Sequence, residues 1–236
     1  MKQIFIFALF FFFSFNVFSQ MTGQELLEKS IKYHDPKGKW EKAKITFDLK
    51  QDTPSRPQKL TTFKINNKKG EFWQKDVSGE NTVIRSLKKD SCELSLNGKT
   101  IFTPEEIKKH RLSCKFTRFW RDYQTYLYGL PMKLKDSGTK IHRKVIKTTF
   151  QGKECWQAKV TYEEPVGEDT WYFYFHPETY ALIGYRFFHN ESTNDGEYII
   201  LEDEIEINGM RFPRDRKWYF NIDDKFLGTD YILSGK

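Results

Sequence analysis

The chain has 236 residues and a mass of 28.3 kDa, with 39 Lys and Arg against 32 Asp and Glu, a formal net charge of +7. That length holds one large or two small domains with a sizeable core. An aromatic content of 17% excludes disorder, and scattered glycines with no heptad repeat exclude collagen-like and coiled-coil chains.

Eight of the 22 Phe fall in the first eighteen residues. Lys2 is a short basic start, Ile4 to Phe13 is unbroken apolar sequence, and Val17 and Ser19 stand at the −3 and −1 positions before Gln20. This is the pattern of a cleaved secretory leader over residues 1–19. The apolar run is too short for the ~20 residues that span a bilayer. Residues 20–236, with 38 basic and 32 acidic side chains, are then expected to be periplasmic or secreted. Outside the cytoplasm disulfides persist, so Cys92, Cys114 and Cys155 matter. Cys92–Cys114 is one of three pairings open to them, and buried unpaired thiols acting as small hydrophobes are the preferred reading in a chain this large.

Thr22-Gly-Gln-Glu25 is a capping box, followed at helical spacing by Leu26, Leu27 and Ile31, which predicts a helix over 23–34. Ala43, Ile45, Phe47 and Leu49 alternate with polar residues as a half-buried strand. Gln51 to Gln58, with Pro54 and Pro57, reads as a loop. Alternating runs follow at about 60–66, 71–77, 82–88 and 91–96, separated by turn residues that include Lys89-Asp90 and Asn97-Gly98. At Thr103-Pro104-Glu105-Glu106 the period changes to helical, and Phe116, Phe119, Trp120, Tyr123, Leu127 and Leu130 recur every three or four residues. This is a helical insertion over about 104–130. From Ile141 the period returns to two. Strands follow near 156–162, 169–176, 181–189, 197–207, 210–220 and 225–233, joined by connections short enough to require antiparallel pairing. The expected fold class is α+β, a single curved antiparallel sheet forming a half-barrel around a few helices, in one domain over 20–236.

Trp171, Phe173 and Phe175 share one face of a strand whose other face carries Tyr172, Tyr174 and His176. A sheet with one wet face alternates apolar and polar, so either both faces are covered or one lines an apolar cavity. Trp156, Phe187 and Trp218 extend this character, and Trp120, Tyr123, Leu127, Leu130 and Met132 supply a facing helical wall. These eleven residues are the candidate ligand-binding set. His34-Asp35 has the composition of a general base with its orienting carboxylate, or otherwise of helix-end residues bonded to a turn. His110 and Cys114, at i and i+4, suit a metal only weakly without a second pair, and Glu202, Asp203, Glu204 and Glu206 read as a solvated strand edge. No metal or cofactor is expected. The dispersed charge lacks the basic stripe of a nucleic-acid binder and suits anionic envelope partners or lipid headgroups instead.

Four stretches, Tyr33–Trp40, Asp122–Thr139 (DYQTYLYGLPMKLKDSGT), Trp171–His189 (WYFYFHPETYALIGYRFFH) and Glu206–Pro213 (EINGMRFP), resemble an uncharacterised domain-of-unknown-function family of exported proteins from Bacteroidota-type bacteria. That family in turn resembles, in fold and strand order, the outer-membrane lipoprotein-sorting carriers. The resemblance implies a half-barrel sheet enclosing an apolar cavity, and with the doubly aromatic strand at 171–176 it leads to the expectation of a non-catalytic binder of a lipid, an acyl chain or another apolar or amphipathic molecule; a monomer is expected. A periplasmic hydrolase using His34 and Asp35, or a structural module of the envelope, are the alternatives.

Overall fold

The computed structural model describes residues 20–89 and 91–236; residues 1–19, where a leader is expected, and Asp90, read as part of a turn, lie outside the described residues. Thr22 opens α1 (Gly23–His34) as its sequence requires. The Thr22 hydroxyl accepts the Glu25 N–H and the Glu25 carboxylate accepts the Thr22 N–H. The helix buries Leu26, Leu27, Ser30 and His34 against the sheet. It lies so close to the neighbouring strand that a side chain at Gly23 would strike the His142 carbonyl.

Five strands follow as a meander: β1 (Lys44–Thr53), β2 (Arg56–Asn66), β3 (Glu71–Ser78), β4 (Asn81–Lys88) and β5 (Ser91–Leu96). The expected loop at 51–58 is instead a tight hairpin, with only Pro54 and Ser55 between the strands. Pro57 is tolerated inside β2 because it sits where the β1–β2 register shifts, between Gln51 and Thr53, so no ladder hydrogen bond is asked of it. The insertion forms two helices, α2 (Pro104–His110) and α3 (Cys114–Gly129). Arg111, in the left-handed region at φ 52°, ends α2, and the Ser113 hydroxyl caps α3 by accepting the Phe116 N–H. Seven more strands complete the chain: β6 (Thr139–Phe150), β7 (Lys153–Tyr162), β8 (Thr170–Phe175), β9 (Leu182–Phe188), β10 (Glu197–Ile207), β11 (Met210–Phe220) and β12 (Phe226–Gly235).

All twelve strands belong to one curved antiparallel sheet in the order β5-β4-β3-β2-β1-β12-β11-β10-β9-β8-β7-β6. Every neighbour pair is consecutive in the chain except β1–β12, where the two meanders join. The sheet is unclosed: among the described residues β5 and β6, its two edges, do not pair. This topology dictates where the insertion goes. The chain leaves the sheet at β5 and re-enters at β6, so residues 97–138 must travel from one edge to the other, and they do so over the concave side.

The centre of that concave side is packed solid. Tyr128 of α3 sits on Phe47 (5.5 Å between ring centroids) and Phe63 (5.2 Å), which stack on each other, while Phe212 meets Phe47 edge-on. Leu127, Leu130, Met132 and Leu134 fill the space beside them. Helical spacing placed Phe119 on the packed face, but its ring is 48% exposed. The face that turns inward is Thr117, Trp120, Gln124, Leu127 and Tyr128, and its two polar members, Thr117 and Gln124, disguise the stripe.

Both faces of the aromatic strand β8 are covered. Phe173 and Phe175 join the concave core, and Tyr174 joins a separate cluster on the convex face with Phe150, Cys155 and Tyr198. Phe150 stacks on Tyr174 at 3.9 Å over Gly184, where a methyl group would collide with the ring. The convex aromatics thus shelter one another. The acidic run lies beyond the last β9–β10 pair, Ile200–Gly184, and Glu204 accepts a hydrogen bond from Tyr33.

Candidate functional site

Cys92 of β5 is disulfide-bonded to Cys114, the first residue of α3, and Cys155 is the buried free thiol. The expectation of three unpaired thiols is thereby corrected, and Cys114 is no longer available to form a metal pair with His110. The bond forms because the chain turns back from β5 through α2 and delivers the start of α3 to the strand it has just left.

His34 and Asp35 are each hydrogen-bonded to the backbone rather than to each other. The His34 ring is completely buried; its Nδ1–H donates to the Arg211 carbonyl (2.7 Å) and its Nε2 accepts the Leu182 N–H (2.9 Å). Burial, helped by the charges of Arg211 and Arg216, pulls its pKa down to about 4 against the opposing effect of the Arg211 carbonyl. The Asp35 carboxylate accepts the backbone N–H groups of Lys39 and Trp40, both at 2.8 Å, and so folds the turn into β1. Both residues are structural ties between α1 and its surroundings.

The eleven aromatic and aliphatic candidates divide by position. Trp120, Tyr123 and Trp218 border open clefts around the N-terminal half of α3, and Tyr126 beside them hydrogen-bonds Tyr162. Trp171 and Phe187 stack at 4.8 Å on paired positions of β8 and β9, with Trp171 also against Tyr126. Leu127, Leu130, Met132, Phe173 and Phe175 are buried in the core. Trp156 on β7 pairs with Phe175 and is half-buried against the same core, its indole N–H donating to the Pro177 carbonyl. The candidates near the rim, where β1 ends and β2 begins, are therefore Trp120, Tyr123, Trp171, Phe187 and Trp218.

What alternation alone did not reveal is a polar belt beneath α3. The Asp76 carboxylate accepts from Arg85 (2.7 Å), Gln74 (2.8 Å) and Thr61 (2.7 Å), and the Thr61 hydroxyl lies 3.4 Å from Gln51, whose amide donates to Asp230 (2.8 Å). Opposite Asp230 on β11 stands Arg216, only 2% exposed, with its guanidinium 4.0 Å from the Tyr128 ring centroid and one N–H on the Pro213 carbonyl. Burial raises the pKa of Asp230 despite the counteracting Gln51 hydrogen bond and Arg216 charge. Burial likewise holds the phenols of Tyr123 and Tyr128 well above their usual range. Several buried atoms here have no protein partner: Gln124 Oε1, Trp120 Nε1 and Tyr128 OH on α3, and Tyr185 OH, Arg85 Nε and Arg216 Nε on the sheet. Each such group costs about 1–3 kcal/mol if left unmet, so a concentration of them marks a place built to meet polar atoms. The sequence signal was present. Gln74, Asp76, Arg85, Arg216 and Asp230 all occupy the apolar phase of their strands.

A cleft of about 570 Å³ borders Trp120 and Arg85, and another of about 330 Å³ borders Tyr123, Trp218 and Asp230; Arg56 at the β1–β2 tip belongs to both. A third, of about 590 Å³, lies on the Tyr126–Tyr162 side of the same helix. The concave side is thus full at its centre and open around the N-terminal half of α3.

Solved structures of low sequence identity share this overall fold. A chain described as an outer membrane lipoprotein-sorting protein domain from Vibrio parahaemolyticus superposes with a TM-score of 0.53 at 5% identity, covering 91% of this chain and 92% of that one. A DUF1329 family protein from Desulfovibrio piger gives 0.52 at 5% identity, with coverages of 92% and 93%. A LolA superfamily protein from Nitrosomonas europaea gives 0.50 at 9% identity, with coverages of 92% and 94%. At these identities the likeness is one of fold. By sequence, the chain belongs to the family of unknown function DUF6503, whose model matches residues 2–234. No curated protein matches the sequence.

Proposed function

We propose that the protein is an exported, non-catalytic binder of an amphipathic molecule such as a lipid or an acyl chain, held between the curved sheet and α3. The observation that carries this reading is the interface between α3 and the sheet. Half-buried aromatic rings surround it, and its buried polar atoms lack protein partners on both sides. An apolar tail beside Trp120, Tyr123 and Trp218 leaves water at ~25 cal/mol per Å² of surface buried, while polar atoms of the same ligand meet the belt. The fold shared with a lipoprotein-sorting domain supports this assignment, and the leader-like N-terminus supports a periplasmic or secreted location. No helix among the described residues is long and apolar enough to cross a membrane.

The test uses residues 20–236 purified from a Gram-negative envelope. Native mass spectrometry is expected to show co-purifying lipid mass, and the uncharged probe N-phenyl-1-naphthylamine is expected to bind with quenching of tryptophan emission. Absence of both signals would remove the proposal.

A further inference from the structure

Building on the amphiphile reading, we infer that the ligand carries an oxyanion head, phosphate or carboxylate, which docks in the cleft formed by Arg56, Lys59, Arg85, Lys109 and Arg111 beside Trp120. Five cationic side chains line this cleft against a single carboxylate, Asp76. That carboxylate is already satisfied by Arg85, Thr61 and Gln74, with the Lys59 ammonium 4.0 Å away. Among the described residues Arg56, Lys109 and Arg111 have no carboxylate within 4 Å, so their charges are uncompensated inside the protein.

Arg85 makes the cleft a built site. It is 4% exposed, and its two terminal nitrogens are taken by Asp76 and by the His110 carbonyl (2.9 Å), which fixes the α2–α3 corner, and with it Lys109 and Arg111, to β4. Its Nε has no partner, and neither has the buried indole N–H of Trp120, another lining residue. Two unmet donors behind four exposed or half-buried cations suit an anion approached from solvent. Charge-assisted hydrogen bonds from guanidinium to an oxyanion are roughly twice as strong as neutral ones, and a concave cationic surface concentrates anions before contact. The geometry also orients the molecule. The Lys59 ammonium lies 5.2 Å from the Trp120 ring centroid, so the head site adjoins the aromatic wall along which the proposed tail would lie.

The experiment compares two amphiphiles with the same tail, dodecyl phosphate and uncharged dodecyl maltoside, below their micelle concentrations, with inorganic phosphate as competitor. Dodecyl phosphate is expected to bind about tenfold tighter or better, with the advantage shrinking as the Debye length falls from ~10 Å at 0.1 M salt to ~3 Å at 1 M. Arg56→Gln, Lys59→Gln and Arg111→Gln, substitutions at exposed or half-buried positions, should each reduce the ratio of the two affinities about threefold, while Lys37→Gln on the α1–β1 connection leaves it unchanged. If millimolar phosphate alone displaces dodecyl phosphate, the oxyanion site stands and accepts free anions as well as lipid heads. If it does not, the site requires the tail. Equal affinities for both amphiphiles, or a ratio indifferent to the three substitutions, would overturn the anion site and leave the amphiphile reading intact. Failure of both amphiphiles to bind would overturn both.

Discussion

His34 is held in one protonation state by its two backbone partners. With Nδ1–H committed to a carbonyl and Nε2 to an N–H, the neutral ring satisfies both, and a proton on Nε2 would face the Leu182 N–H. The consequence for stability has a definite sign. Above pH ~6.5 the ring is neutral in both the native and unfolded states, and its full contribution is present. As the pH falls from 6.5 to about 4, the unfolded chain takes up a proton that the native fold refuses, and up to about 3 kcal/mol is lost. Urea unfolding at pH 7 and pH 4.5 measures this. We expect His34→Gln, whose amide cannot titrate, to be less stable at pH 7 but to lose about 2 kcal/mol less than the parent over that interval. Identical losses in the two proteins would refute the assignment. The sequence offered His34-Asp35 as a pair because the two are adjacent in the chain. The fold separates their tasks because one side chain points into the sheet while the other accepts from the backbone that follows it.

At the scale of elements, α3 is held differently at its two ends. Its C-terminal end is packed tightly: a methyl group at Gly129 would fall 2.3 Å from the Trp40 ring. Its N-terminal end is tied covalently to β5 and otherwise faces the open clefts. The loop closed by Cys92 and Cys114 spans 22 residues of sequence, which in the chain-entropy model is worth about 3 kcal/mol. Cys92→Ser with Cys114→Ser is therefore expected to lower stability by about that amount. It should also raise amide hydrogen exchange in residues 114–123 before residues 124–129. Uniform exchange along the helix in the variant would show that the disulfide does not anchor that end. Gly129→Ala should cost about 1–3 kcal/mol by overpacking against Trp40, read as a shift in the urea midpoint. The start of α3 was hard to find in sequence because Arg111, an ordinary helix former, carries the left-handed turn that a glycine would have advertised. The pairing of Cys92 with Cys114 depends on the chain reversing between them, which spacing alone cannot report.

The whole molecule is legible to the extent that alternation and turn residues are. Strand runs, the first helix and antiparallel pairing follow from the period-two pattern and short connections, and so does the α+β class. The joining of β1 to β12 does not, because it links residues about 180 positions apart and is set by how two meanders curl together. The polar belt escaped for a related reason: its members lie on six strands, and each looks like an isolated irregularity until the sheet assembles them. An unclosed sheet also leaves two edges, and these are guarded in different ways. At β5, residues 99–112 fold back so that Leu112 and Phe102 pack on Val83 and Leu96. At β6 the ladder with β7 is interrupted between Ile141 and Val145, Thr22 pairs with Lys144, and Lys140, Arg143 and Lys147 are exposed along the strand. Bulges and lysines are the usual devices against edge-to-edge pairing. If they serve that purpose here, Arg143→Thr, Lys144→Val and Lys147→Val together should convert a single sedimenting species into a concentration-dependent mixture with a dimer. The substitutions favour β structure, so unfolding is not the expected route to association, and circular dichroism of the dilute protein checks this. A triple variant that sediments as the parent does at every concentration would show that α1 and the bulge, rather than charge, keep this edge unpaired.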